Sequence, residues 1–569
     1  PSFTELLGRV RETTLSAYEH QDVPFEKVVE RVVKHRDMSR SPLFGVIFSL
    51  QNVEEVATDR FNELYSAPFE VKHVTSQFDM IFNCSYSEGQ IFVKIEYSTD
   101  LFRSQSIENL FDSYHELLCS LISNPLWKIS QLQLLSHKAA LRLREFNDTS
   151  YAYEKEKQLV ELFTDQVDCN PGSIALNYQN KTLTYLQLDE RSNQVARMLP
   201  SYGVKPGSNI GLLSDRGLEM IVGILGILKS GCAYVPLNIE FPIERLRYML
   251  LDSQVEIVLT TKLAAVDLYE LSKFTLVDIE QSLSYPSERI QILSHMSARL
   301  NVMYTSGTTG RPKGIAVSQQ NVIKLIEEPG EIQILQSDRV LQWSNYGFDG
   351  SSYEIFSTLM NGACLVLIED EAVADVFRLA EQVIEKQVSV MFLTTALFNS
   401  FVDAHLEAFG GVRKILFGGE AVSSNHVLKA FNNLGPGKLI HVYGPTETTV
   451  FASSYPVNQV SELENIPIGK PLANTRIWIL DPHFKQVPVG AIGEMFISGD
   501  GVAIGYVGDA HQSENRFLNQ LGDRLYRTGD LGRWLPDGNI EYVGRMDDQV
   551  KVRGYRIELG EVESVLQTA

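Results

Sequence analysis

In the larger, C-terminal part of the chain, short strand-like apolar runs alternate with longer helix-like ones. Thr184 and Gln187 have the spacing of a capping box, which predicts a helix that stops at Gly203. The segment "EMIVGILGILKSG" (219–231) predicts a buried helix, and "CAYVPL" (232–237) after it predicts a strand. Strands that alternate with helices in this way are typical of α/β layers built on parallel sheets.

The chain is too long for a single hydrophobic core, since its 569 residues predict two or more domains. Residues 1–137 combine amphipathic-helix patterns with the β-branched and aromatic runs that are typical of strands. A polar stretch with few apolar residues follows, and we therefore place a linker at 138–158. The alternating α/β region begins after it.

Charge, cysteine spacing and hydropathy narrow the class of protein. The formal net charge of −21 argues against a general nucleic-acid binder, although it allows a local basic site for an anion. Five scattered cysteines without paired C-x-x-C spacing predict reduced thiols in a cytoplasmic protein. The longest apolar run is far shorter than a membrane span, and the first residues lack the pattern of a signal peptide. We therefore expect no membrane partner.

The loop "YTSGTTGRPKG" (304–314) places hydroxyls, glycines and cations between two strand-like runs. Backbone N–H groups and hydroxyls in such a turn can face an anion. It is not a Walker loop, because G-x-x-x-x-G-K-[ST] is missing and no helix follows directly. Taken alone, the loop has two interpretations, a polyphosphate site and an ordinary turn.

Four later stretches gather charged, aromatic and glycine residues, and two of them directly follow predicted strands. They are "FDGSSYEIF" (348–356), "ILFGGEAV" (415–422), "HVYGPTETT" (441–449) and "YRTGDLGRWLPDGNIEYVGRMDDQVKVRGYRIELGEVE" (526–563). Loops after strands are where α/β proteins assemble their sites. Together with the hydroxyl-rich loop, these stretches favour a functional site.

These motifs, in this order, resemble the adenylate-forming enzyme superfamily, and within it the amino-acid adenylation domain of nonribosomal peptide synthetases. The resemblance covers roughly residues 159–569, and "LKSGCAYVPL" (228–237) and "IPIGKPLANTRIWILD" (466–481) are more similar to this subfamily than to acyl-CoA ligases or luciferases. In the first region, "HQDVPFEKVVE" (20–30) and "RDMSRSPLFGVIFS" (36–49) resemble the C-terminal lobe of a condensation domain.

The resemblance implies an α/β fold in which a partial condensation lobe, of chloramphenicol-acetyltransferase type, precedes a large adenylate-forming core with several subdomains. The core would span 159–546, and 547–569 would form the hinge, at Asp547, and the start of a small C-terminal lobe. The lysine that the family carries near the end of that lobe does not occur before Ala569, and the condensation motif HHxxxDG is missing. Since Pro1 is not an initiator methionine either, we expect the chain to be a piece of a longer protein.

The resemblance assigns ATP to two sets of residues. The phosphate set consists of Thr305, Ser306, Gly307, Thr308, Thr309, Gly310 and Lys313. The set around adenine, ribose and α-phosphate consists of Gly419, Glu420, Ala421, Tyr443, Gly444, Thr446, Asp530, Tyr542 and Arg545. Within it, Tyr443 is expected to stack on adenine and Asp530 to accept the ribose hydroxyls, while His441 stands where the family often has asparagine.

Glu447 is the implied ligand of Mg²⁺, a cation that prefers one or two carboxylates plus phosphate oxygens. The catalytic residues implied are Thr305, Lys313, Glu447 and Arg545. Each also has an ordinary structural interpretation, for instance a solvated lysine at Lys313 or a carboxylate at a helix start for Glu447.

By the same resemblance, nine residues form the amino-acid pocket: Asp349, Gly350, Tyr353, Phe392, Leu416, Gly418, Val442, Val450 and Phe451. Asp349 would pair with the substrate α-ammonium. The other wall residues carry no charge, and an unpaired buried charge is costly, so charged amino acids are disfavoured. Gly350 and Gly418 are expected to open space that Phe392, Leu416 and Phe451 bound, and the set resembles the isoleucine-type pockets of this family. Isoleucine therefore fits best, followed by valine or leucine. The Tyr353 hydroxyl is the one polar group, which makes a hydroxylated aliphatic residue the second choice.

The implied function is the activation of an amino acid by ATP as an aminoacyl-adenylate, followed by thioester formation on the phosphopantetheine of a carrier protein. The implied partners are upstream and downstream peptidyl carrier domains, and a small MbtH-like protein is a further candidate. Two alternatives remain open: an acyl-CoA or aryl-acid ligase, and a catalytically silent fragment that only binds ATP and neighbouring domains. A P-loop kinase is disfavoured by the missing Walker pattern.

Overall fold

The computed structural model describes residues 1–34, 41–51, 60–61, 64–65, 75–87, 89–261, 271, 273–290, 298–307, 311–369, 375–459, 465–547, 549–552 and 555–568. The chain divides into two compact units, Pro1–Ala140 and Leu141–Ala569. All five cysteines are free thiols. None of the helices in the described ranges combines the length and apolarity that a bilayer crossing needs.

The first unit contains the predicted mixture of helices and strands. Its helices are Phe3–Glu19, Phe25–Val32 and Ser104–Ser123, and a fourth, His137–Phe146, crosses the division between the units. Strand Met80–Ser87 pairs in parallel with Val46–Gln51 and in antiparallel with Gln90–Tyr97. Met80, Phe82 and Ile107 form the core between this small sheet and the long helix.

Two large sheets form the framework of the second unit. The seven-stranded sheet has the order Thr275–Asp278, Ile257–Thr260, Asn209–Leu213, Ala233–Leu237, Arg299–Thr305, Lys313–Ser318 and Gly505–Tyr506, of which the first five are parallel. The nine-stranded sheet has the order Lys470–Pro471, Ser453–Pro456, Leu439–Tyr443, Lys414–Gly418, Val390–Thr394, Arg339–Gln342, Cys364–Leu367, Ile174–Tyr178 and Lys181–Thr184. Its six strands from Leu439–Tyr443 to Ile174–Tyr178 are parallel, so the predicted α/β class is confirmed.

The helices of the second unit cover these sheets. They are Leu159–Cys169, Tyr185–Met198, Leu218–Lys229, Ile243–Asp252, Gln319–Ile326, Gly350–Ser352, Val376–Glu385, Thr395–Ala404, Ser424–Leu434, Ala510–Arg516 and Leu559–Thr568, with a π-helical turn at Tyr353–Ser357. The predicted capping box at Thr184 is present, and Gly203 ends the following turn with a φ of 85°. The predicted buried helix and the strand after it are Leu218–Lys229 and Ala233–Leu237.

A third sheet of the second unit is antiparallel throughout, which the α/β prediction did not include. Strands Thr475–Leu480, Gly493–Gly499, Asp523–Trp534 and Phe517–Gln520 lie side by side, and Ile540–Arg545 pairs with Asp523–Trp534. A two-stranded ribbon, Val550–Val552 with Tyr555–Ile557, leads into the last helix.

The segment predicted as a linker begins inside helix His137–Phe146 and continues as an extended stretch along the third sheet. The side chain of Asn147 exchanges two hydrogen bonds of 2.9 Å with the backbone of Ile477. The backbone of Thr149 accepts a further bond of 2.7 Å from the N–H of Asn474. These bonds attach the stretch to the second unit, and the domain boundaries proposed from the sequence stay a prediction.

Candidate nucleotide and amino-acid site

A cavity of about 940 Å³ lies in the second unit, beside the ends of strands from both large sheets. Strand Arg299–Thr305 contributes its last residue, and strands Val390–Thr394, Lys414–Gly418 and Leu439–Tyr443 contribute residues at or near their carboxyl ends. Predicted site residues that line it are Thr305, Ser306, Asp349, Gly350, Phe392, Gly418, Gly419, Val442, Gly444, Thr446, Val450, Phe451, Asp530 and Arg545. Predicted site residues as far apart in the chain as Thr305 and Arg545 therefore meet at one cavity.

The hydroxyl-rich loop lies between two antiparallel strands, Arg299–Thr305 and Lys313–Ser318, as predicted. Among the described residues, the hydroxyl oxygen of Thr305 is buried and has no hydrogen-bond partner. A Cβ at Gly307 would lie 2.0 Å from the carbonyl oxygen of Arg311, so only glycine fits there. Thr308, Thr309 and Gly310 lie outside the described residues.

Lys313 and Glu447 form an ion pair with an N–O distance of 3.1 Å, although 134 residues separate them. The Glu447 side chain is fully buried and Lys313 is almost so. The hydroxyl of Tyr506 donates to the same oxygen, Oε1 of Glu447, at 2.8 Å. These three residues are not part of the described cavity lining, which includes Thr446 beside Glu447.

Asp349 stands in the cavity just before helix Gly350–Ser352. Burial raises the pKa of its carboxyl group, while hydrogen bonds from the Thr446 side chain and the Gly350 N–H oppose the rise. The negative charge of Glu447 raises this pKa further, and the positive charge of Lys551 lowers it. A cationic ligand beside Asp349 would stabilise the ionised form in the same way as Lys551.

Apolar and aromatic residues form the wall near Asp349. The ring of Phe451 meets those of Tyr353 and Phe392 edge-on, each with centroids 5.2 Å apart. Tyr353 and Leu416 are buried behind the lining residues. The Tyr353 hydroxyl donates to the carbonyl oxygen of Ile332 at 2.6 Å, which weakens the argument for a hydroxylated substrate.

Two backbone features shape this wall. Thr449 and Val450 have φ angles of 61° and 67°, a conformation that strains β-branched residues. A Cβ at Gly418 would lie 2.1 Å from the carbonyl oxygen of Val442 on the neighbouring strand. Glycine at 418 is therefore needed for strand packing, whereas the sequence prediction had it open space for a ligand.

The residues predicted around adenine and ribose divide into two groups. Asp530 accepts hydrogen bonds of 2.5 Å from the Tyr443 hydroxyl and from Arg545, and the guanidinium of Arg545 also binds Asp547. The ring of Tyr542 lies 6.5 Å from that of Tyr443. This group brings together five of the predicted residues.

The second group is less exposed to the cavity. Glu420 and Ala421, which form it, are absent from the described cavity lining, as are Tyr443 and Tyr542 of the first group, and the carbonyl of Glu420 accepts a bond from the hydroxyl of Thr395. His441 is buried against Phe417, and its Nδ1 lies 2.7 Å from the carbonyl oxygen of Pro467. Burial lowers the pKa of His441 to about 4, so the ring is neutral and Nδ1–H is the donor.

Sequence reasoning missed the loop before Asp349. The guanidinium of Arg216 donates to the carbonyl oxygens of Gln342 and Trp343 at 2.8 Å. Buried Glu354 accepts bonds of 2.6 and 3.1 Å from the hydroxyl and N–H of Ser344, and burial raises its pKa to about 7. Trp343 and Ser344 line the cavity. A polar run after strand Arg339–Gln342 was the available signal.

Tyr506 and the C-terminal segment were also missed. Tyr506 stands in an ordinary glycine-flanked turn pattern, "IGYVGD", which gives no sign of its contact with Glu447. Lys551, Ile557 and Val562 of the C-terminal segment line the same cavity, and nothing in their spacing indicates this.

The residues present fit ATP with Mg²⁺. The unpartnered hydroxyl of Thr305 and the close backbone approach at Gly307 are features of a phosphate loop. In the described part of the chain, no three or more His, Cys, Asp and Glu side chains form a group that could hold a metal alone. Magnesium would thus depend on Glu447 and on phosphate oxygens, a combination that suits this cation.

Comparisons with known proteins identify the family of this chain. Residues 163–507 match the family model described as AMP-binding enzyme, and residues 1–143 match the condensation domain model. The chain therefore belongs to the AMP-binding enzyme family. The predicted resemblance, a condensation domain followed by an adenylation domain of the nonribosomal peptide synthetase type, is confirmed.

Among curated relatives, surfactin synthase subunit 1 of Bacillus subtilis (strain 168) is 41% identical over 100% of this chain and 16% of its own length. Gramicidin S synthase 2 of Aneurinibacillus migulanus is 37% identical over 99% of this chain and 13% of its own length. Bacitracin synthase 1 of Bacillus licheniformis is 45% identical over 74% of this chain and 8% of its own length. The chain thus spans a small part of the length of the relatives it matches.

Two solved structures share the fold. A four-domain nonribosomal peptide synthetase bound to AMP and glycine has a TM-score of 0.84 and 28% identity, covering 100% of this chain and 44% of that one. A nonribosomal peptide synthetase protein containing adenylation and PCP domains has a TM-score of 0.67 and 28% identity. The match covers 74% of this chain and 73% of that one. The predicted architecture of a condensation region followed by an adenylate-forming core is confirmed.

Proposed function

We propose that the second unit activates a branched aliphatic amino acid, isoleucine first, as its aminoacyl-adenylate. In the whole protein, the product would pass as a thioester to the phosphopantetheine of a carrier domain. Similar proteins are named surfactin synthase and gramicidin S synthase, and one similar structure is of a nonribosomal peptide synthetase protein containing adenylation and PCP domains, which supports this role.

One observation carries the proposal: the carboxyl group of Asp349, an apolar wall and residues of the phosphate-type loop all line a single cavity. An α-amino acid needs an anion for its ammonium group and an apolar surface for an aliphatic side chain. Its carboxylate would then point toward the nucleotide, where Thr305 and Ser306 line the cavity. A fatty or aryl acid has no cation to place beside Asp349.

The proposed preference for an aliphatic substrate side chain follows from the apolar residues that line the cavity near Asp349. Phe392, Val450 and Phe451 offer no charge and no hydrogen-bond donor to a ligand, and the hydroxyl of Tyr353 is already bonded to Ile332. A charged side chain would lose its hydration here without gaining a partner. Valine should compete with isoleucine, because one methylene is worth only about 1–3 kcal/mol of discrimination.

In the proposed reaction, an oxygen of the substrate carboxylate attacks the α-phosphorus of ATP, and the bond from that phosphorus to the leaving pyrophosphate breaks. Lys313 and the hydroxyls of Thr305 and Ser306 would stabilise the negative charge that develops on the phosphates. Magnesium held by Glu447 would supply further charge neutralisation when bound. Arg545 would border the α-phosphate, next to Asp530 at the ribose.

ATP–pyrophosphate exchange with a panel of amino acids tests the proposal. We expect isoleucine to give the highest rate and valine or leucine to follow, while charged amino acids give background rates. The branched acid that lacks the amino group should give background as well, and a high rate with it would favour the acyl-CoA or aryl-acid ligase. No exchange in spite of ATP binding would favour the catalytically silent fragment.

Asp349→Asn sharpens this test. Loss of the ammonium–carboxylate pair should reduce kcat/KM for isoleucine about 10²-fold while leaving ATP binding unchanged. Asp537→Asn, an exposed turn residue that is not part of the described cavity lining, is the matched control and should behave like the wild type. Equal rates for the two variants would remove Asp349 from the proposed role.

The proposed partners are peptidyl carrier domains before and after this chain in the whole protein, and an MbtH-like protein is a further candidate. Loading of a purified phosphopantetheinylated carrier protein, followed by mass spectrometry of the thioester, measures the first interaction. An increase in exchange rate on addition of an MbtH-like protein measures the second, and no increase would remove that partner.

A further inference from the structure

Tyr506 contacts two charged residues of the proposed nucleotide site, Glu447 and Lys313. Its hydroxyl donates to Oε1 of Glu447 at 2.8 Å and lies 3.4 Å from Nζ of Lys313. The same Nζ lies 5.0 Å from the centroid of the Tyr506 ring, within the range of a cation–π interaction. One side chain therefore contacts the carboxylate through its hydroxyl and the ammonium through its ring face.

The backbone around Tyr506 supports this arrangement. Strand Gly505–Tyr506 pairs with Ile315, two residues after Lys313 on the neighbouring strand. The N–H of Ala503 donates to the carbonyl oxygen of Glu447 at 2.9 Å. The short segment from 503 to 506 thus bonds to the backbone of Glu447 and pairs with the strand that begins at Lys313, and the Tyr506 side chain contacts both side chains.

The ring of Tyr506 is held in turn by its own neighbours. It packs edge-on against Phe517, with centroids 5.4 Å apart, and its backbone N–H donates to the hydroxyl of Ser513 at 2.9 Å. With the ring held on these sides, the hydroxyl has little freedom to follow Glu447 if that carboxylate turns. A carboxylate whose orientation is set before the ligand arrives binds a metal without an ordering cost at that moment.

We infer that Tyr506 is a positioning residue of this site: its hydroxyl orients the Glu447 carboxylate for the divalent cation of a metal–nucleotide complex, and its ring holds Lys313 beside it. This inference rests on the proposed function. Lys313 and Glu447 alone form an ion pair whose geometry could vary, since a lysine ammonium is a point charge on a flexible stem. The tyrosine restricts both partners.

Calorimetric titration of the protein with ATP, with and without Mg²⁺, separates this role from a structural one. Tyr506→Phe retains the ring and removes only the hydroxyl. We expect its affinity for Mg²⁺–ATP to fall about tenfold, as for the loss of a hydrogen bond to a charged group. Its affinity for ATP without metal should match the wild type.

Tyr185→Phe is the control for the loss of a buried tyrosine hydroxyl, because Tyr185 donates to the carbonyl oxygens of Leu359 and Ala363 and does not belong to the described cavity lining. It should lower thermal stability without changing either affinity. An equal loss of both affinities in Tyr506→Phe, or no loss, would overturn the inference.

A double-mutant comparison tests the role of Tyr506 even if Tyr506→Phe lowers the stability of the protein. In a Glu447→Gln background, Tyr506→Phe should change Mg²⁺–ATP affinity much less than in the wild type, because the carboxylate that it orients is gone. Equal effects in both backgrounds would contradict a role through Glu447. If the wild type shows no metal-dependent ATP binding, the proposed function fails. If the wild type shows such binding and Tyr506→Phe binds Mg²⁺–ATP with the same affinity, only the role of Tyr506 fails.

Discussion

The hydroxyl of Tyr443 donates a hydrogen bond of 2.5 Å to Oδ2 of Asp530, across 87 residues of sequence. Burial and the Asp530 charge raise the pKa of Tyr443 well above its ordinary value, so it remains a donor at any physiological pH. Arg545 binds the other carboxylate oxygen of Asp530 at 2.5 Å. Each oxygen keeps further acceptor capacity, which allows Asp530 to receive ribose hydroxyls as well.

Asp530→Ala is expected to weaken ATP binding about 10- to 100-fold, the effect of losing hydrogen bonds to a charged acceptor. The same variant should bind ATP and 2′-deoxy-ATP almost equally, whereas the wild type should prefer ATP. Equilibrium binding of both nucleotides measures this. Asp537→Ala, in an exposed turn of the same sheet, is the control; an undiminished preference for ATP in Asp530→Ala would exclude the ribose contact.

Glu447→Gln should raise the Mg²⁺ concentration needed for half-maximal pyrophosphate exchange by about tenfold or more, since a neutral amide is a poorer ligand for a hard cation. The fold should persist, because the amide oxygen can still accept the bonds from Lys313 and Tyr506. The free energy of unfolding should fall by about 3–5 kcal/mol, because the buried ammonium of Lys313 loses its charged partner. An unchanged magnesium requirement would mean that another group carries the metal.

Gly418→Ala should destabilise the second unit by about 1–3 kcal/mol or more, because the added methyl group would meet the backbone of Val442. Thermal unfolding measures this loss of stability. Amino-acid specificity should change only if the added methyl group pushes the two strands apart. Gly411→Ala is the matched control, since a Cβ there meets nothing within 4 Å. Equal melting temperatures for the two variants would show that the strands are less tightly packed than described.

His441 should make the second unit sensitive to acid. The pKa of His441 in the folded protein, about 4, lies below the ordinary value of a histidine. The neutral buried ring therefore makes its full contribution to the free energy of unfolding above about pH 6.5, and that contribution is lost as the pH falls toward 4. The loss amounts to about 2–3 kcal/mol at pH 4.5. His441→Asn can still donate to Pro467 and does not titrate.

The thermal midpoints of wild type and His441→Asn, compared at pH 7 and pH 4.5, isolate this contribution. The difference between the two proteins should shift in favour of the variant at the lower pH. Buried Glu354 acts in the opposite sense, because its pKa is raised to about 7 and its protonation favours the fold. Both proteins retain Glu354, so its effect cancels in the comparison, and parallel pH profiles would contradict the assignment to His441.

The parts of the fold that local pattern determines were predictable. The capping box at Thr184 and the apolar helix Leu218–Lys229 each depend on a few neighbouring residues, and both were confirmed. The antiparallel sheet from 475 to 545 was not predicted, because its pairing joins segments such as Thr475–Leu480 and Gly493–Gly499 through tertiary contacts. Strand patterns alone do not specify their partners.

In the candidate site, too, features that depend on neighbouring residues were predictable, and those that depend on tertiary contacts were not. Hydroxyls and glycines of the phosphate-type loop were visible in the sequence because they are adjacent in the chain. The contact between Tyr506 and Glu447 was not visible, since it joins residues 59 positions apart and tyrosine in a turn is common. Gly418 was expected to open space in the pocket; it does line the cavity, but the close carbonyl oxygen of Val442 on the neighbouring strand, which the sequence does not reveal, is a further reason for glycine there.

The place of Gly418 against Val442 bears on how a pocket of this kind can acquire new ligands. The missing side chain at position 418 accommodates a strand, while Phe392 of strand Val390–Thr394 and the adjacent residues Val450 and Phe451 also line the cavity. Under the proposed function, we expect that exchange of side chains at those three positions would alter the amino-acid pocket and leave the residues proposed for ATP in place. Substrate choice would then be separable from ATP chemistry, and point changes at the wall would redirect one without rebuilding the other.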